Sequence, residues 1–140
     1  MEKKSLSLRY NPLKRALKKL ESSVKRSQDP RIVDEFNEIQ DSKIQRFEYT
    51  LDGLWKYVGD YLVCQGVTVR QYNPKDIFRA AYISKIIGEH EFAVLLNAVD
   101  SRNRTSHDYG GDLSKIIAKE IDTYYVIISS IIERLDPDKI

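Results

Sequence analysis

Glycine and proline are scarce, at six and four in 140 residues, and the apolar periodicity of the chain is read as lying between them. A chain with so few breakers and with apolar residues at steps of three and four is restricted to long helices joined by short connections. In the first segment, Asn11 and Pro12 read as an N-cap and first-turn pair, followed by Leu13, Leu17, Leu20 and Val24. A longer pattern takes in Ile32, Val33, Phe36, Ile39, Ile44, Phe47, Leu51, Leu54, Trp55, Val58 and Leu62 and stops at Gly66. Asn73-Pro74-Lys75-Asp76 is a helix start, with an asparagine cap, proline in the first turn and an acid at the third position. Its helix carries Ile77, Ala80, Ala81 and Ile83 or Ile87 to a stop at Gly88. A fourth segment runs from about Glu89 through Phe92, Leu95, Leu96 and Val99. Asp112 then caps a last helix with Leu113, Ile116, Ile117, Ile121, Tyr124, Tyr125, Ile128, Ile131, Ile132 and Leu135. The stretch Val67 to Tyr72 alternates for a few residues but is too short and isolated to carry a sheet. The expected fold is all-α, an antiparallel up-and-down bundle of about five helices in a single domain over residues 1–140. The last helix has more apolar residues than one stripe needs, which fits either the core or a dimer interface.

No apolar stretch approaches the roughly 20 residues that span a bilayer, and YYVIISSII (124–132) is the longest. The basic N-terminus has no apolar region or cleavage site behind it, so export is not expected and the cytoplasm is the expected compartment. A single cysteine, Cys64, excludes an intrachain disulfide and a cysteine-cluster zinc site; it reads as a half-buried residue near a helix end. Residues 1–31 hold ten lysines or arginines against three acids, a local charge of +7 in a chain of net charge +2. The exposed cations Lys14, Arg15, Lys18 and Lys19 suit a phosphate backbone, an acidic partner or simply a solvated face.

Chemistry concentrates in SRNRTSHDY (101–109). The chain has two histidines, His90 and His107, and neither has a metal-ligand spacing; no phosphate-binding glycine loop occurs. Ser101, Thr105 and Ser106 read as helix-cap residues. What remains is Arg102, Arg104 and His107. A histidine near its ordinary pKa can take a proton from a ribose 2′-hydroxyl, and an arginine can hold the charge that builds on the attacked phosphate. Such a cleavage also needs an acid for the leaving 5′-oxygen, which a second His107 in a symmetric homodimer would supply. On a continuous helix, positions 102 and 107 lie about 140° apart; a helix that ends or bends near Asn103 to Ser106, as the following Gly-Gly suggests, together with arginine's long stem, would bring the pair together.

Three stretches in this order, FEYTLDGLWKYVGDYL (47–62), NPKDIFRAAYISKIIG (73–88) and DSRNRTSHDY (100–109), resemble the HEPN family. Within it they are similar to the nucleotidyltransferase substrate-binding proteins, also called HEPN toxins. The resemblance covers about residues 10–135. It implies a helical bundle, usually dimeric, that works beside a minimal nucleotidyltransferase and needs no cofactor or metal. It implies that Arg102 and His107 are an RNase pair, with Asn103 as the polar residue beside the arginine; Arg104, with the basic first helix, would hold the RNA backbone. It further implies that Tyr109 is the tyrosine that the nucleotidyltransferase adenylylates. Phe92 stands where family members often carry tryptophan, and Gly110-Gly111 where acids usually follow the tyrosine. Two readings follow. One is an endoribonuclease toxin acting on RNA rather than DNA; the other is a non-catalytic substrate-binding subunit of a nucleotidyltransferase.

Overall fold

In the computed structural model, which describes residues 3–105 and 112–139, the first helix begins well before the Asn-Pro pair. It runs over Lys3–Gln28 (α1), with Pro12 inside it. Proline within a helix costs about 3 kcal/mol, because it removes a backbone donor and crowds the preceding turn. The upstream residues Leu6 and Tyr10 offset that cost. Both are buried on the same stripe as Leu13, Leu17, Leu20 and Val24, and the Tyr10 hydroxyl donates to the Ile132 carbonyl at 2.7 Å. Helix propensity places the start at Pro12; burial moves it.

The second helix, Glu38–Cys64 (α2), also departs from the pattern at its start. Ile32, Val33 and Phe36 lie outside it and are exposed. Asp34 supplies the cap instead, its carboxylate accepting from the backbone N–H groups of Ile39 and Gln40 at 3.0 Å each. At the other end Gly66 takes a left-handed φ of 78°, and the Val67 N–H returns to the Leu62 carbonyl, closing the helix. Cys64 is its last residue and is half-buried.

The third helix is Pro74–Ile83 (α3), capped by Asn73, whose side chain accepts from the Asp76 N–H at 3.0 Å. It ends well before Gly88, where the sequence pattern places its stop. Lys85 takes the left-handed turn with φ of 64°, which lets Ile86 N–H reach the Ala81 carbonyl and turns Ile87 into the core while Ile83 stays exposed. The remaining helices are Glu89–Thr105 (α4) and Asp112–Arg134 (α5), followed by a short 3-10 turn at Pro137–Lys139. No strand occurs among the described residues, and none of their helices is long and apolar enough to cross a membrane.

These five helices form the all-α bundle expected, with one interruption of the up-and-down alternation. Arg9 meets Asp60 while Arg46 meets Ser23, so α1 and α2 are antiparallel. Lys43 meets Asp122 and the Tyr57 hydroxyl meets the Leu135 carbonyl, so α2 and α5 run in the same direction. The cause is the segment 65–73, which doubles back along α2 until the Tyr72 ring reaches Trp55 (5.1 Å). Helix α3 therefore starts beside the middle of α2 and descends with it. Gly59 makes this possible, since a Cβ there would lie 3.0 Å from the Tyr72 ring and 3.2 Å from Ile77.

The core runs through all five helices and takes in most of the wide apolar face of α5, while Ile116 and Val126 stay exposed. Ile117, Ile121, Tyr124, Ile128, Ile131 and Ile132 are buried. Tyr125, half-buried, donates to Glu21 of α1 at 2.8 Å.

Candidate functional site

The end of α4 is held from both sides, by α2 and by α5. Arg102 faces α2, where Glu48 and Asp52 stand one turn apart on one face. Its Nη1 lies 3.1 Å from Glu48 Oε2, and its Nη2 lies 3.2 Å from Asp52 Oδ2. All three side chains are partly buried. Burial pushes the Glu48 carboxyl above the usual range; Arg102 opposes that shift, Asp52 adds to it, and the Thr105 hydroxyl opposes it. Thr105 is the last described residue of the helix, and its hydroxyl donates to the Arg102 carbonyl at 2.8 Å. Two carboxylates thus fix one guanidinium at the C-terminal end of a helix, where positive charge is favoured.

Arg104, two residues on, turns to α5. Its Nη2 donates to Ser101 Oγ at 3.1 Å and lies 3.9 Å from Glu120. Ser101 is not a cap residue. It is fully buried inside α4, 2.7 Å from the Tyr124 hydroxyl and 3.1 Å from Glu120 Oε2, which also accepts from Tyr124 at 3.0 Å. Burial raises the Tyr124 pKa. Outside this network lies an open cleft of about 630 Å³, lined by Asn97, Asp100, Arg104, Glu120, Thr123 and Tyr124. Asn103 is exposed. The two arginines of the motif therefore serve different neighbours and do not converge on one point.

His107 and Tyr109 lie outside the described residues, as do Ser106, Asp108, Gly110 and Gly111. The helix that carries Arg102 is described to Thr105.

Residues 8–136 match the model of a family described as nucleotidyltransferase substrate binding protein like. The chain belongs to this family. The HEPN assignment made from its motifs fits that membership. A protein from Thermus thermophilus, known from its crystal structure, is similar in fold, with a TM-score of 0.76 and 28% identity. The similarity covers 88% of this chain and 98% of that one. No curated protein matches the chain.

As a nucleotidyltransferase substrate-binding protein, the chain carries two site features that its motif alone did not reveal. Glu48 and Asp52 sit within FEYTLDGLWK, but two acids one turn apart look like a solvated helix face until a cation 50 residues from Asp52 is placed against them. The basic set also divides. Lys14, Arg15, Lys18 and Lys19 are all exposed, but Lys14 lies over the Tyr10 ring (5.8 Å) and Lys18 lowers the pKa of Glu21, after its hydrogen bonds to Tyr125 and Lys25. Arg15 and Lys19 instead line a concavity between α1 and α2.

Proposed function

We propose that this substrate-binding protein works with a nucleotidyltransferase and that, as a homodimer, it is a metal-independent endoribonuclease toxin. Family membership supports the first part. The second is carried by Arg102, a guanidinium fixed by two carboxylates on the helix that leads into His107. A group already oriented costs little reorganisation when charge develops on a phosphate. In the reaction, His107 of one protomer takes the proton of the ribose 2′-hydroxyl, whose oxygen attacks phosphorus. The bond to the 5′-oxygen breaks, and His107 of the second protomer returns a proton to it. The products are a 2′,3′-cyclic phosphate and a free 5′-hydroxyl. Asn103 and Arg104 border the site. Tyr109, two residues after His107, is the hydroxyl that the nucleotidyltransferase adenylylates to silence cleavage.

One observation favours a second reading. Glu48 and Asp52 outnumber the charge of Arg102, an arrangement that also suits a purely structural arginine in a non-catalytic substrate-binding subunit. The deciding experiment is incubation of the purified protein with total RNA in EDTA, beside His107→Ala, with analysis of product ends. Cyclic phosphate ends that vanish in the variant support the nuclease. A folded wild-type protein that leaves the RNA intact supports the binding subunit. Adenylylation is read separately, as an added AMP mass on wild type and not on Tyr109→Phe after incubation with the nucleotidyltransferase and ATP.

A further inference from the structure

Two concavities, of about 470 and 610 Å³, lie along the seam of α1 and α2 and meet at Pro12, Ala16 and Tyr49. The seam is open because its floor is made of small residues. At Gly53 a Cβ would sit 3.3 Å from Leu13 Cδ1, so the absence of a side chain there leaves room for the Leu13 side chain of α1. Tyr49 stands at the junction with 68% of its surface exposed, contributing little to the core.

The charges around it are lopsided. Arg15, Lys19 and Arg46 line one concavity, Arg9 and Lys56 the other. The acids in the groove are Asp52 and Asp60, and both are engaged by guanidinium groups: Asp60 by Arg9 at 2.9 Å and Asp52 by Arg102 at 3.2 Å. Five cations against two acids give the groove a charge of +3, more than the +2 of the whole chain. Arg46 is held at the rim by the Lys19 carbonyl (3.0 Å) and the Ser23 hydroxyl (2.8 Å), both neutral, so its charge is kept and its position fixed.

We infer that this groove seats single-stranded RNA, with a base stacked on the Tyr49 ring and phosphates on the cations to either side. An exposed aromatic ring between cations is the composition that binds unpaired bases, because stacking needs a free base face and the cations track the backbone. A duplex offers phosphates but no free base face, and an acidic peptide would use the cations without the ring. Asp52 joins the groove to Arg102, so a strand lying in it leads to the proposed cleavage site. The inference rests on the RNA reading above and deepens it by naming the strand type and its path.

The test uses the full-length His107→Ala protein in EDTA, a fluorescein-labelled single-stranded RNA oligomer, the same oligomer as a duplex, and a labelled poly-glutamate peptide. Expected are tighter binding of the single strand than of the duplex and a loss of at least about fivefold in affinity on adding Tyr49→Ala. Tyr49→Trp should retain binding, and affinity should fall steeply with salt. Because Tyr49 is exposed, the variants should keep their helical circular dichroism. Four results would overturn the inference: Tyr49→Ala within twofold of its parent, equal binding of duplex, tighter binding of the peptide, or dissociation of a dimer by Tyr49→Ala, which would make the groove a subunit interface. Cleavage by otherwise wild-type protein is assayed apart. If RNA binds through Tyr49 but is never cut, the nuclease reading fails and the groove stands. If RNA is cut while Tyr49→Ala binds normally, the reverse holds.

Discussion

Lys43 is the most buried charge in the described bundle, its side chain 4% exposed on α2, and it meets Asp122 of α5 at 2.6 Å. The contact is short but not aligned as a hydrogen bond, and Asp122 Oδ1 has no other polar partner among the described residues. The ammonium therefore depends on one carboxylate for its compensation. Removing that carboxylate with Asp122→Asn leaves a buried charge unpaired, which typically costs about 3–5 kcal/mol. Asp122 is itself 34% exposed, so water tempers the loss and about 3 kcal/mol is expected. Lys43→Met removes the charge and keeps the stem that packs between α2 and α5; it should cost under about 1 kcal/mol, because a buried pair contributes little net stability. For a chain of this length an unfolding entropy of about 0.3 kcal/mol per kelvin converts 3 kcal/mol into a fall in Tm of about 10 °C. Urea melts at pH 7 followed by circular dichroism, with the double variant to complete the cycle, measure both. Asp122→Asn costing under about 0.5 kcal/mol, or Lys43→Met costing more than Asp122→Asn, would refute the reasoning, since either means that the ammonium reaches water.

The other expectations concern α2. Burial holds the Glu48 proton more tightly in the folded protein than in the unfolded chain, so its contribution to stability is fullest below the unfolded pKa and is lost as pH rises through the raised folded value. Glu48→Gln should accordingly flatten the stability profile between the unfolded pKa and the raised folded one, in melts from about pH 4 to 7; a profile parallel to wild type would contradict the burial argument. Gly59→Ala should destabilise the fold by about 1–3 kcal/mol, because the new methyl meets Tyr72 and Ile77, and Gly59→Ala with Tyr72→Ala should recover part of the loss. No recovery in the double variant would show that the clash lies elsewhere.

Much of the bundle was legible because its stripes are regular. Leu13, Leu17, Leu20 and Val24 are all buried, as are Leu51, Leu54, Val58 and Leu62. The misread boundaries share a cause. Pro12 and Gly88 are strong local signals overruled by burial of Tyr10 and Ile87, and Ile32, Val33 and Phe36 are apolar residues that the core does not reach. Nor could periodicity show that 65–73 doubles back, because that depends on Gly59 admitting Tyr72. For the site, the motif pointed to Arg102, but its orientation is set by Glu48 and Asp52, whose pairing exists only once α2 and α4 are packed.

The hydroxyls of Tyr10 and Tyr57 both end on carbonyls at or just past the end of α5, those of Ile132 and Leu135, across sequence separations of 122 and 78 residues. Contacts of that span form late, because loop closure is costly before the rest of the structure rewards it. Helix α5, made last of the five, supplies Ile117, Ile121, Ile128, Ile131 and Ile132 to the interior. During synthesis the first four helices must therefore wait with an open apolar trough, and the bundle closes only after residue 135 has left the ribosome. Folding cannot be completed helix by helix as the chain emerges, and any activity that needs the closed bundle begins only once α5 is free to dock.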